Sequence, residues 1–188
     1  MKKYAYLAVS AMISLPAHAA DLNTAVQDYV NATVMEWTRD PALIKAITAS
    51  NMASAALTED QIKALDDVWR AEIGKTETPS IDLVATTPTA DILRAHRAES
   101  EGRIAELFIM DAKGLNVAVS DITSDYWQGD EPKFTNTFPL GAGAMFIDEL
   151  ELDESSQTYQ VQVSIVIVDP ASNQPIGAMT IGLNADRF

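Results

Sequence analysis

Phe108-Ile109-Met110-Asp111-Ala112-Lys113-Gly114-Leu115-Asn116-Val117-Ala118-Val119-Ser120 reads as two strands joined by a tight turn. An apolar run over 104–110 stops at Asp111 to Gly114, whose Asp and Gly suit a turn. Residues 115–120 then return, with Leu115, Val117 and Val119 expected on one face. The pattern repeats downstream. Gly141-Ala142-Gly143 leads into a third strand running to about Leu152, a turn is expected over 153–156, and 157–168 is the longest strand. The turn-rich segment 169–175 precedes a last strand over 176–184. In the fourth strand Tyr159, Val161, Val163, Ile165 and Ile167 alternate with Gln160, Gln162 and Ser164. One face therefore belongs to a core, and the other carries amides and a hydroxyl that face either water or a polar cavity.

Upstream of Gly102 the period changes from two to that of a helix. Leu22, Val26, Tyr29, Val30, Met35 and Trp37 recur at three- and four-residue steps, and Pro41 marks a break or restart. A second helix is expected over 42–52. A third starts at Thr58, where Gln61 three positions on completes a capping box, and carries the stripe Ile62, Leu65, Val68, Trp69 as far as Gly74. Residues 75–79 read as a turn, and another helix follows Thr87-Pro88-Thr89 to end near Gly102. Helices followed by five hairpin-connected strands imply an α+β fold with an antiparallel sheet.

The first twenty residues read as an export signal: Lys2 and Lys3, a short apolar run, then Pro16-Ala17-His18-Ala19-Ala20. Cleavage is expected after Ala19 or Ala20, which places the chain in a bacterial periplasm as a protein that does not itself span the membrane. Three segments follow: 1–20 as signal, 21–102 as the helical part and 103–188 as the sheet, with 21–188 expected to form one domain. Losing Lys2 and Lys3 leaves 11 basic against 27 acidic residues, a formal net charge of −16, so nucleic acid is not an expected partner. The absence of cysteine excludes disulfides, thiolate nucleophiles and Cys-based zinc sites.

Thr123-Ser124-Asp125-Tyr126-Trp127-Gln128-Gly129-Asp130-Glu131 sets two large aromatics in a polar loop, the kind of segment that walls a small-molecule pocket. Together with the helices, the hairpin opening and the closing Gln174-Pro175-Ile176-Gly177-Ala178-Met179-Thr180-Ile181-Gly182, it resembles a single Cache domain, an extracytoplasmic PAS-like sensor. The resemblance implies a PAS-like five-stranded antiparallel sheet with a long helix packed behind it and a ligand cavity on the opposite face. It also implies a small carboxylate or amino-acid-like ligand, and a contribution to that cavity from Tyr126, Trp127 and Lys133. In chemical terms Lys133 would meet an anion, Tyr126 and Trp127 the apolar part and Asp125 an amino group, with Gln162 and Ser164 beneath. Cache receptors lie between two membrane helices, whereas this chain ends at Phe188. Any signalling is therefore expected to need a separate membrane receptor or transporter.

Other readings have less to rest on. Asp121, Thr123 and Asp125 alternate oxygen donors, but Tyr126 stands where a calcium loop needs glycine, so neither metal nor cofactor is expected. The acids Asp148, Glu149, Glu151, Asp153 and Glu154 suit a solvated edge strand. His96 has no serine elbow to serve, so no catalytic residue is assigned and the chain is not read as an enzyme. The alternative from another class is an envelope interaction module with aromatic anchors; an uncharacterised hydrolase comes after it.

Overall fold

The structure, a computed structural model, describes residues 15–153 and 158–188. The first fourteen residues of the expected signal and residues 154–156 of the expected turn lie outside the described residues. Helix α1 (Leu15–Tyr29) continues through a π turn (Val30–Val34) into α2 (Met35–Trp37). The π turn has a packing cause. Val26, Val30, Val34 and Thr38 are buried four residues apart, and in a plain α-helix each such step would rotate the row by about 40°. The wider loop, closed by Met35 N donating to Val30 O, turns the stripe back toward the sheet.

Pro41 restarts rather than breaks: Asp40 caps α3 (Pro41–Ser54) by accepting from Ala42 N at 2.7 Å. The capping box expected at Thr58 opens α4 (Glu59–Glu72), with Gln61 N donating to Thr58 Oγ1 and Thr58 N to Gln61 Oε1. Its buried stripe differs from the expected one. Ile62, Asp66 and Trp69 face inward, whereas Leu65 and Val68 are 41% and 46% exposed. A short helix α5 (Pro79–Ala85) starts where a turn was expected; Pro79 stands at its first position, but its capping acceptor comes from the preceding helix, with Ser80 N and Ile81 N donating to Glu72 Oε2. Thr87 then caps α6 (Pro88–Glu99).

Strands β1 (Ile104–Asp111), β2 (Asn116–Val119), β3 (Met145–Asp153), β4 (Thr158–Val168) and β5 (Pro175–Asn184) form one antiparallel sheet in the order β2-β1-β5-β4-β3; helix α7 (Pro132–Thr135) lies between β2 and β3 in the chain. This is the PAS-like α+β arrangement expected. A register shift between Ile109 and Met110 leaves Val117 as an extra residue in β2. Val117 consequently packs against the helix-side core and Val119 joins the opposite one, which splits the single face expected for them.

On the helix side α1, α3 and α6 cover Leu107, Ile109, Val161, Val163, Ile165, Ile167, Met179, Ile181 and Leu183. The opposite face is graded. The row Met110–Ala178–Val166 is apolar and buried. In the next row Phe108 is buried beside Thr180 and Ser164, whose hydroxyls bond each other at 2.8 Å. The last row is Glu106–Gly182–Gln162. Helices α4, α5 and α7 cover the apolar end through Trp69, Ile81, Val84 and Phe134. The Glu106 end opens into a cleft.

Candidate functional site

The aromatic loop is anchored on all sides. Asp66, 4% exposed on α4, accepts from both Tyr126 N (2.7 Å) and Trp127 N (3.0 Å). Arg70 pairs with Asp66 at 2.6 Å and with Asp125 at 2.7 Å, and the nearby Asp66 carboxylate raises the guanidinium pKa further above its ordinary value. The Trp127 indole N–H donates to Lys113 O, and the Trp69 indole N–H to Thr123 O. Tyr126 stacks on Trp69 with centroids 5.6 Å apart, and burial pushes its phenol up to about 12. The strand-like pairing of Leu115 with Trp127, with Gln128 N donating to Gly114 O, brings two backbones into contact at Gly114 and Gly129. A side chain on Gly129 would collide with the Trp127 indole and with Lys113 O.

The cleft lies beside this loop rather than under its aromatics. It has a volume of about 1100 Å³, and its floor is the polar end of the sheet: Glu106 from β1, Gln160 and Gln162 from β4 and Asn184 from β5. Asp121 to Ser124 and Glu131 to Lys133 form one wall, and Asp148, Glu149 and Glu151 of β3 the other. Gly182 shapes the floor, since a Cβ there would fall 2.6 Å from Glu106 Cγ and 3.1 Å from Gln160 Oε1. Without one, both side chains lie across the strand. Gln162 Nε2 donates to Glu106 Oε1 at 2.8 Å and fixes the carboxylate.

Of the residues singled out in the sequence, Lys133 and Gln162 are brought together in the cleft. Lys133 is held back, paired with Glu131 at 3.0 Å and 5.7 Å above the Phe108 ring. Tyr126 and Trp127 face the second core and the hairpin turn, Asp125 faces Arg70 and Ser124, and Ser164 is sealed against Thr180. Sequence reading missed Glu106, Arg97 and Asp121 as cleft residues, and it placed Asp148, Glu149 and Glu151 on a solvated edge only. Glu106 had one signal: a charge within an apolar run, one residue out of step with Leu107 and Ile109. Arg97 and Asp121 pair at 2.6 Å across the rim, between elements whose proximity no local pattern encodes.

By fold, then, the chain is an α+β domain, with helices α1, α3 and α6 behind a five-stranded antiparallel sheet and a cleft on the other face. Among solved structures it is similar to the ligand-binding domain of the Campylobacter jejuni chemoreceptor Tlp3 in complex with 4-methylisoleucine, at 9% identity and a TM-score of 0.41, covering 81% of this chain and 64% of that one. It is similar also to a domain of a Vibrio parahaemolyticus protein assigned to the sensory box/GGDEF family, at 10% identity and a TM-score of 0.47, covering 90% of this chain and 57% of that one. The chain spans less than two thirds of either, and the likeness is one of fold. No family model and no curated protein matches the chain. Among the described residues no helix is long and apolar enough to cross a membrane.

Proposed function

We propose that this chain is an exported, small-molecule-binding domain of the sensory type, which holds its ligand in the cleft over Glu106, Gly182 and Gln162 and acts through a separate membrane partner. The observation that carries this reading is the cleft itself. One end of the sheet face is packed solid, while the other presents charged and amide groups around about 1100 Å³ of space, the form of a small-molecule site. The basic start and small-residue segment of 1–20 support export. Of the carboxylate and amino-acid-like ligands expected, the amino group is the part that the lining suits, since it holds six carboxylates against two cations.

Thermal-shift screening with amino acids, carboxylates and amines tests the reading. A true ligand at about 100 times its Kd should stabilise the protein by about 2.7 kcal/mol. The shift should shrink in Gln162→Ala and Lys133→Ala and persist in Trp127→Phe. A library that shifts nothing, or a shift abolished by Trp127→Phe alone, would contradict it.

A further inference from the structure

We infer that Glu131 is an internal competitor for the anionic part of the ligand: its carboxylate occupies Lys133, and a ligand carboxylate enters by taking its place. This deepens the reading of the cleft as the ligand site and rests on it. Lys133 Nζ lies 3.0 Å from Glu131 Oε2 and 5.7 Å from the centre of the Phe108 ring, and both charged residues line the cleft. The two partners are unequally hydrated. The Lys133 side chain is 14% exposed and that of Glu131 32%. On separation the carboxylate regains water, whereas the ammonium stays against a buried ring and still needs a counter-ion.

The exchange requires no movement of the backbone. Glu131 N donates to Gln128 O, and Glu131 O accepts from Phe134 N and Thr135 N, so the main chain is fixed on both sides of the side chain. That side chain makes no capping bond to α7, and turning it out to solvent leaves the helix intact. Lys133 belongs to α7, whose Phe134 is packed in the second core, so the ammonium keeps its place when Glu131 leaves. The cation is thereby preorganised for an incoming anion. The rim pair Arg97–Asp121 differs, because both of its partners are more exposed and a guanidinium in contact with water has less need of a replacement. A pair as open to water as Lys133–Glu131 couples weakly, so a ligand carboxylate can displace it, while a ligand without one leaves it closed. Glu131 therefore lowers the affinity for carboxylates and does not oppose amines.

The probes are succinate, L-leucine and 3-methylbutylamine, which is the leucine skeleton without its carboxylate, each titrated into the full chain to tens of millimolar and followed by NMR at the Lys133 side chain. Glu131→Gln should tighten succinate and L-leucine by about threefold, the factor by which a pair of this exposure ordinarily couples. The amine should gain nothing. Adding Lys133→Met should abolish the gain, and Glu149→Gln, which removes a carboxylate from the opposite wall, should give little of it. Equal tightening by Glu131→Gln and Glu149→Gln would reduce the effect to the general negative field and overturn the inference, as would a gain that survives Lys133→Met. No response of Lys133 to either carboxylate in Glu131→Gln would overturn it as well. Binding of the amine, or of a compound from the thermal-shift screen, would then still leave the cleft as the site, and only failure of that screen would remove the cleft too.

Discussion

The two ends of one sheet face are built to opposite purposes. At the Met110 end, aromatic side chains from α4, α7 and the 123–131 loop fill the space together with aliphatic ones from α5, and the Trp127 and Trp69 indole N–H groups both have acceptors within the protein. At the Glu106 end the same strands present a carboxylate, amides and a bare glycine to an open cleft. Aromatic density therefore marks the closed half, and the open half is marked by a charge and a glycine in otherwise apolar strands. Large amphipathic rings seal as readily as they bind, and the difference lies in whether their polar atoms already have partners.

Substitutions in the two halves should separate stability from binding. The largest loss of stability is expected for Asp66→Ala, which leaves Tyr126 N and Trp127 N without their acceptor in a part-buried site; urea denaturation should show about 3 kcal/mol. Gly129→Ala forces the loop off the hairpin turn and should cost about 2 kcal/mol. Trp127→Phe keeps the ring but strands Lys113 O, and about 1 kcal/mol is expected. Glu106→Gln, at the other end, should move stability by no more than about 0.5 kcal/mol while changing ligand affinity. A large destabilisation from Glu106→Gln, or none from Asp66→Ala, would erase the distinction between the halves.

A smaller effect belongs to neither half. His96 stacks on Trp37 at 4.1 Å with its Nε2 buried and unpartnered, and burial holds its pKa below the ordinary 6.5. The unfolded chain therefore takes up this proton first as pH falls. Stability should decline from pH 6.5 down to the lowered value and level off below it, and His96→Gln should flatten that part of the Tm profile against pH.

Much of the fold was legible because its signals are local. The Thr58–Gln61 box, the Asp111–Gly114 turn and the alternation along β4 all act within a few residues, and each stands where expected except at Tyr159, which is half exposed while Val161 to Ile167 on its side of the strand are buried. The misreadings share a cause in long-range partners. Asp66 displaced Leu65 and Val68 from the buried stripe because its acceptors are needed sixty residues away, and α5 depends on Glu72 for its cap. For the site, alternation exposed Gln162 but could not show that β1 would set Glu106 beside it, nor that Tyr126 would find Trp69. Pocket and plug differ in tertiary neighbours, which a single strand's pattern does not contain.

On the proposed function, ligand binds at the Glu106 end and not against the aromatic loop. Amide and indole NMR shifts of the ¹⁵N-labelled protein, followed during titration with the strongest stabiliser found in the thermal-shift screen, distinguish the two places. The largest changes are expected at Glu106, Gln160, Gln162 and Glu151, with the Trp127 indole N–H nearly still. Largest changes at Tyr126 and the Trp127 indole, with the Glu106 row unmoved, would contradict it.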